Sequence, residues 1–383
     1  MVKKNMKNLF IIPARSGSKG IKDKNIQTIN GIPLFVWSII HARYLSSDGD
    51  YICVSSDSEK YLSIAKNWGA DPLKRSKKLS ADNAFTEPVM EDVINQYDLD
   101  EEDNIFLLQP TSPLRSKKSL DKFTNLIKNN VDSGLSVKET YQFEWIQKNQ
   151  NIYKPNYIER PRRQDMEPKY IENGSVYFTK LKYFRKYTNR VSVNSQLVIM
   201  DDFESIEIDN IEELELVKNL SVKFNQQWLK ELTHNKKVKC IFSDIDGVFA
   251  KNSKKTNSND RNYSTLDSAA ISSWVGKGNL FFFVSSEKIK HSEELFNKMN
   301  VTEYLFGSKD KLTDIKYLIQ KYKLKNDECA FLGNDISDIE CLKYFNKSFA
   351  PEDANSKVFS SSKFLITKKG GNGFISEVLG LLK

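Results

Sequence analysis

Residues 11–25 read IIPARSGSKGIKDKN, and this stretch decides how the first half of the chain folds. NLFIIPA (8–14) reads as a short strand, and the segment after it gathers Arg15, Lys19, Lys22 and Lys24 around Ser16, Gly17, Ser18 and Gly20. Small residues let backbone N–H groups approach phosphate oxygens, and the cations neutralise them. A loop that leaves a strand and precedes a helix is where ligands sit in open α/β sheets. The glycine spacing matches neither the dinucleotide fingerprint nor a Walker loop.

Outward from this loop, short apolar runs alternate with helical patterns as far as about residue 215. YICVSS (51–56), NIFLLQP (104–110) and SGLSVKE (133–139) read as further strands, with helices over 34–45 and 87–97. That is the rhythm of βα units on a largely parallel sheet. A polar, basic, helix-compatible segment, 221–237, reads as a linker between a first domain, 1–220, and a second, 238–383. Beyond it the pattern restarts with strands over 238–243, 279–286 and 328–335 and helices over 288–298 and 336–345. The Lys/Asn/Ser stretch 251–265 reads as an exposed hairpin or loop. The fold class expected is α/β, as two Rossmann-like domains.

Composition narrows the function. With 383 residues, 39% hydrophobic and 28% charged, the chain has the make-up of a soluble two-domain protein. Its apolar stretches, such as NLFFFV (279–284), are strand-sized, so no membrane span is expected. The basic opening leads into a first strand rather than a signal peptide. Cys53, Cys240, Cys329 and Cys341 form no CxxC pair and read as buried reduced thiols, which sets the expected location as cytoplasmic. Three histidines make a His-based zinc site unexpected and point to oxygen ligands for any metal. The net charge of +8 is spread along the chain and fits a small anionic substrate as well as nucleic acid, and with no aromatic-interleaved basic stripe the small substrate is the favoured reading.

PARSGSKGIKDKN (13–25) resembles the signature of the cytidylyltransferases that activate nonulosonic acids, the CMP-sialic acid synthetase family. VSSDS (54–58), LKRSKKLSAD (73–82), LLQPTSPLR (107–115), ENGSVYF (172–178) and ESIEIDNIEEL (204–214) continue the resemblance in family order. The 3-deoxy-octulosonate cytidylyltransferases are similar but carry a different opening loop. The resemblance implies a nucleotide-diphospho-sugar-transferase-like domain acting on CTP and a nonulosonic acid with Mg2+. In it Arg15, Ser18, Lys19, Lys24 and Asn25 hold the nucleotide and its phosphates, Lys19 and Lys24 are catalytic, and Arg75 and Asp82 sit beside the nucleotide. Gln109, Thr111 and Ser112 line the sugar-acid pocket, with Gln164 and Asn173 opposite. Glu207 and Asp209 bind the metal, Glu207 standing where the family usually has aspartate. Two carboxylates at i and i+2 on a strand point the same way and can share a metal ion. Arg160, Arg162 and Arg163 read either as a carboxylate clamp or as a solvated loop, Ile171 stands where the family often has arginine, and Trp37 reads as core.

The second half opens on IFSDIDGVFA (241–250), where Asp244 and Asp246 share one face at a strand's end. Such a pair suits an aspartate nucleophile beside an acid/base carboxylate and a metal ion. Together with LFFFVSSEK (280–288), GSKDKL (307–312), FLGNDISDIECL (331–342) and KKGGNGFISEVLGLL, it resembles the haloacid dehalogenase-like phosphatases, closest to those acting on 3-deoxy-octulosonate 8-phosphate. The resemblance implies Asp244 as nucleophile, Asp246 as acid/base, Ser285 or Ser286 and Lys311 on the phosphoryl group, and Asp244, Asp246 and Asp335 around Mg2+, with Asn334 and Asp338 in the same motif. Four departures stand out. Asn334 replaces the usual aspartate, Glu287 and Lys288 replace a small residue and arginine, and Ser268 replaces a glycine. Asn334 and Glu287 favour an assembly module with weak or no phosphatase activity, and the two first-motif aspartates favour an active phosphatase on the nonulosonic acid 9-phosphate. A homodimer or homotetramer is expected.

Overall fold

The computed structural model describes residues 6–225, 227, 228, 231, 237–251, 261–287, 293–359, 361–366 and 368–382. The first half contributes β1 (Asn8–Pro13), the short pair β2 (Thr28–Ile29) and β3 (Ile32–Pro33), then β4 (Tyr51–Ser56), β5 (Asp71–Lys74), β6 (Asn104–Leu108) and β7 (Ser133–Thr140). It continues with the hairpin β8 (Trp145–Asn149) and β9 (Ile152–Pro155), the long β10 (Lys169–Lys180) and β11 (Gln196–Met200). The second half adds β12 (Cys240–Ser243), β13 (Leu280–Ser285), β14 (Glu303–Phe306), β15 (Cys329–Leu332), β16 (Ser348–Pro351) and β17 (Phe364–Ile366).

Each half is built on one sheet with helices packed against it. The first runs in the order β11-β7-β10-β6-β1-β4-β5. β1 is central and parallel to both neighbours, which is why Leu9 to Ile12 form an unbroken, fully buried apolar run. The largely parallel sheet read from the sequence carries one antiparallel strand, β10, inserted between β6 and β7. Its pairing with β7 shifts register between Glu172 and Tyr177, so the sheet opens beside Asn173 and Gly174. The second sheet, β14-β13-β12-β15-β16-β17, is parallel throughout. The helix read over 34–45 is observed as Leu34–Leu45, and Trp37 lies in the core as expected.

Three expectations fall partly outside the described residues. Residues 252–260 of the expected hairpin, 288–292 of the expected helix 288–298, and 226, 229, 230 and 232–236 of the expected linker are not described. The described part of the linker packs on the first half. Helix Ile211–Phe224 runs into it, and the buried Trp228 donates from Nε1 to the Arg115 carbonyl at 3.0 Å.

The two halves meet where β17 meets the β2–β3 turn. Leu365 N–H donates to the Gly31 carbonyl at 2.5 Å, and Asn67 Nδ2 donates to the Ser362 carbonyl at 3.3 Å. The Trp68 and Phe364 rings meet edge to face at 6.4 Å, and one apolar core joins Ile29 and Ile32 to Phe364 and Ile366. Gly31 sits at φ +73°, and a Cβ there would come 2.9 Å from Ile366 Cδ1. Gly31→Ala is expected to cost about 1–3 kcal/mol through backbone strain alone. Chemical unfolding reads that loss, and faster hydrogen exchange at Leu365 places it at the joint.

Candidate active site

The first site is a cleft of about 370 Å³ at the carboxyl ends of β1 and β6. The loop after β1 forms one wall. Asp57, just past β4, accepts from Ser16 N–H at 2.8 Å and Ser16 Oγ at 2.7 Å, which pins the loop. Burial works to raise the Asp57 carboxyl, and the two Ser16 bonds outweigh it and hold it low. Buried Asn25 braces the loop from within, its Nδ2 donating to the Arg15 carbonyl at 2.8 Å. Arg15 and Lys19 both reach Asp82, at 2.6 and 2.8 Å, and bonds from Lys19 and then Arg15 hold the Asp82 carboxyl below its usual range. Buried Arg75 donates from Nε to Ser55 Oγ at 3.1 Å, and burial lowers its guanidinium to about 10.

The opposite wall comes from the end of β6 and from a segment nearly a hundred residues later. Gln109, Pro110, Thr111 and Asp209 line it. Buried Thr111 Oγ1 and Ser112 Oγ have no hydrogen-bond partner among the described residues, which is unusual for buried hydroxyls. The Thr111 carbonyl accepts from Ile208 N–H at 2.9 Å, setting Glu207 and Asp209 on either side of that tie. Lys24 Nζ donates to the Ile208 carbonyl at 2.8 Å and to Asp209 at 3.1 Å. Burial, then the Asp209 charge, push the Glu207 carboxyl above its ordinary range, with Lys24 opposing. Lys24 thus serves Asp209 directly, while Glu207 has no ion-pair partner among the described residues.

The strand expected through ESIEIDN is not formed. Residues 206–209 form no strand and pair with no sheet. Ile208 is buried in the core and Asn210 caps helix Ile211–Phe224 with a reciprocal Asn210–Glu213 box, so both ends of the segment are committed elsewhere.

The second site lies at the carboxyl end of β12. Lys311 Nζ stands between Asp244, at 3.0 Å, and Asp338, at 2.7 Å, all three buried. Burial, then Asp338, push the Asp244 carboxyl up, with Lys311 pulling the other way. Asp338 also accepts from the N–H groups of Asn334 and Asp335 at 2.9 and 3.1 Å. Asn334 Oδ1 is buried with no partner among the described residues, an oxygen free to face a cation. The expected metal set of Asp244, Asp246 and Asp335 is not gathered. Arg261 grips Asp246 with both ends of its fork, at 2.7 and 2.9 Å, and reaches Glu287 at 3.3 Å. Asp335 is exposed, with its Oδ1 3.5 Å from Asn355 Nδ2. Among the described residues no three His, Cys, Asp or Glu side chains cluster to hold a metal. Ser285 is buried and its Oγ accepts from Glu287 N–H at 3.2 Å, whereas Ser286 is exposed.

The family profile for cytidylyltransferases matches residues 9–237, more than half the chain. The chain belongs to the cytidylyltransferase family. A profile for haloacid dehalogenase-like hydrolases matches residues 307–378. The resemblance carried by PARSGSKGIKDKN is thereby borne out at the level of the cytidylyltransferase family, and that of the second half is borne out over GSKDKL and FLGNDISDIECL, whereas IFSDIDGVFA precedes the matched stretch. An N-acylneuraminate cytidylyltransferase A from Danio rerio is 27% identical over 379 residues, covering 96% of this chain and 86% of its own. The post-translational flagellin modification protein B of Campylobacter coli is 29% identical over 228 residues, covering 57% of this chain and 97% of its own. A 3-deoxy-D-manno-octulosonate 8-phosphate phosphatase structure from Moraxella catarrhalis aligns with 40% of this chain and 90% of its own, at 20% identity and a TM-score of 0.38.

In the cytidylyltransferase cleft the fold brings together Arg15, Ser18, Lys19, Lys24, Asn25, Arg75, Asp82, Gln109, Thr111 and Asp209 of the residues expected there. Ser112 is buried just behind the lining, and Glu207 lies half-buried beside it. Gln164 is exposed on the turn Arg163–Asp165, away from the lining. The Asn173 amide is spent internally: Oδ1 accepts from Ser136 Oγ at 2.6 Å and Nδ2 donates to Ser205 Oγ at 3.0 Å. Sequence reasoning passed over Phe85, a lining residue left 77% exposed, and the clamps Asp57 and Arg261. The Asp57 signal was available in VSSDS, but Arg261 carries none that a local pattern would flag. Asn173→Ala is expected to lose about 1–3 kcal/mol by removing the acceptor of the buried Ser136 hydroxyl and Ser175 N–H, seen as a lower thermal midpoint for the cytidylyltransferase half.

Proposed function

We propose that the first half transfers CMP from CTP to a nonulosonic acid and releases pyrophosphate, with Mg2+ as cofactor. The observation that carries this reading is the cleft, in which Arg15, Lys19, Lys24 and Arg75 surround a small-residue loop opposite Gln109 and two unpartnered buried hydroxyls. The names of relatives that align along nearly the whole chain support the sugar acid as acceptor. A sugar hydroxyl oxygen forms a bond to the α-phosphorus of CTP, and the bond from that phosphorus to the β-phosphate oxygen breaks. The bonding electrons leave with pyrophosphate, and the hydroxyl proton is released.

Arg15, Lys19 and the loop N–H groups receive the triphosphate, whose oxygens take the place Asp82 holds against both cations. Lys19 and Lys24 offset the charge that grows on the leaving group. Gln109, Thr111 and Ser112 meet the sugar acid, with the wall held by Asn173 beyond them and Gln164 approaching from its exposed turn. Glu207 and Asp209 would hold Mg2+, which when bound neutralises phosphate charge. A cytoplasmic location fits four buried free thiols. The exposed apolar residues Trp145, Ile146, Ile152, Tyr153 and Ile171, on or beside the β8–β9 hairpin, support a homodimer or homotetramer as the working form.

For the second half we infer an assembly module with weak or no phosphatase activity. Arg261 occupies Asp246, and Asn334 supplies no charge where a metal would sit. A second reading, dephosphorylation of the nonulosonic acid 9-phosphate, is favoured by the intact buried set of Asp244, Lys311 and Asp338.

Lys19→Ala and Asp209→Ala are each expected to lower CTP-dependent pyrophosphate release at least about a hundredfold; full turnover in both would sink the transferase reading. Phosphate release from the 9-phosphate is expected to be feeble, to rise in Arg261→Ala as Asp246 is freed, and to vanish in Asp244→Asn. Brisk release by the unaltered chain, lost in Asp244→Asn, would replace the assembly reading with the bifunctional one.

A further inference from the structure

We propose that Arg115 is a positioning residue that holds the sugar-acid wall of the cleft against the metal-binding carboxylates. The inference rests on the transferase reading above. Arg115 is 1% exposed, and among the described residues no carboxylate comes within ion-pair distance of its guanidinium. A buried cation without a counter-charge is costly to keep. Burial lowers it to about 9, with the Glu204 charge only partly opposing.

Its donors are instead spent on the two strand ends that flank the site. The paired register of β6 and β10 ends at Leu108 and Val176, and one further backbone bond, from Gln109 N–H to the Ser175 carbonyl at 3.2 Å, joins them before the chain turns away at Pro110. Beyond that point Arg115 Nη2 donates to the Gln109 carbonyl at 2.6 Å and to the Ser175 carbonyl at 2.8 Å. Nε donates to Ser175 Oγ at 2.9 Å. Nη1 donates to Ser38 Oγ at 3.2 Å and to His41 Nδ1 at 3.2 Å, the ring being kept neutral by burial and by the arginine itself. One rigid fork thus reinforces the last, long backbone bond between the two strands.

Both clamped strands run directly into the site. From Gln109 the chain passes to Thr111, whose carbonyl holds Ile208 between Glu207 and Asp209. On the other strand Gly174, at φ +65°, lies so close to Glu207 that a Cβ would come 2.0 Å from its Oε1. Arg115, with the one long backbone bond between Gln109 and Ser175, therefore sets the separation of the sugar-acid wall from the acidic pair. The phosphate loop is held independently, by Asp57 and Asn25. Arg115 touches no lining atom of that loop in any bond above, so its loss should leave CTP recognition alone.

The test compares Arg115→Lys, which keeps the charge but cannot span both carbonyls, with Ser38→Ala, which removes from a helix behind the cleft one partner of the fork together with its own 3.4 Å bond to the same Gln109 carbonyl. The full-length variants are assayed for CMP transfer with a panel of nonulosonic acids at saturating Mg2+. For Arg115→Lys the KM for the sugar acid is expected to rise about ten- to hundredfold, while the KM for CTP stays within about twofold. Ser38→Ala is expected to shift the same constant in the same direction, by less. A merely structural role would lower kcat in proportion to the active fraction and leave both KM values unchanged; that result, or parental kinetics, would overturn the proposal. If Arg115→Lys fails to fold, Ser38→Ala decides by the same split. Absence of transfer by the unaltered chain with every acid would bring down the transferase reading and this proposal with it, whereas intact transfer with indifferent variants overturns this proposal alone.

Discussion

The hydrogen bond from Ile208 N–H to the Thr111 carbonyl, 2.9 Å long, is the tie on which the first site depends. It joins residues 97 positions apart in the chain, the end of β6 and the approach to a capped helix. Without it the acidic segment would have no reason to lie against the cleft, since no sheet ladder holds residues 206–209. The bond also fixes which side chain goes where. Ile208 is drawn into the core, and its neighbours Glu207 and Asp209 are left to face Gly174 and Lys24. A single backbone bond matters here because apolar burial of Ile208 and the cap at Asn210 act on the same short segment. Three modest interactions converge, and the segment has one conformation that satisfies them all.

Charge is balanced differently in the two halves. The first cleft holds four cations against Asp82 and Asp209, an excess suited to a polyanion, and its internal ion pairs are exposed enough to exchange for phosphate. The second site is the reverse. Lys311 serves two buried carboxylates at once, and Arg261 serves Asp246 and Glu287. Acids outnumber bases, so an incoming phosphate meets a site whose cations are already engaged. Glu287 adds to this by bracing Arg261 in place. The second sheet nonetheless does mechanical work for the first, because β17 docks on the turn that follows the phosphate loop and shares a core with it.

Much of this was legible in the order of residues. Strands β1, β4, β6 and β7 were readable because each is a short run of apolar or β-branched residues ended by turn formers. The place of residues 13–25 at the cleft was readable because a basic, small-residue loop follows the first strand directly, where open α/β sheets form their clefts. β10 was not, since its polar start and the Asn173–Gly174 shift interrupt the alternation a strand should show. Nor was the fate of ESIEIDN, which alternates like a strand but is pulled out of any sheet by its two ends.

Two α/β halves and the cytidylyltransferase family of the first could be read from residue order alone, because strand and helix periods and local motif composition are properties of near neighbours. It took the assembled fold to close Arg261 on Asp246, to bury Arg115 behind Gln109 without an ion-pair partner among the described residues, and to pin the loop after β1 with Asp57. These are pairings between groups from different elements, brought together by sheet order and core packing. Whether a carboxylate is free, paired or starved of charge depends on that assembly, and no reading of neighbours along the chain contains it.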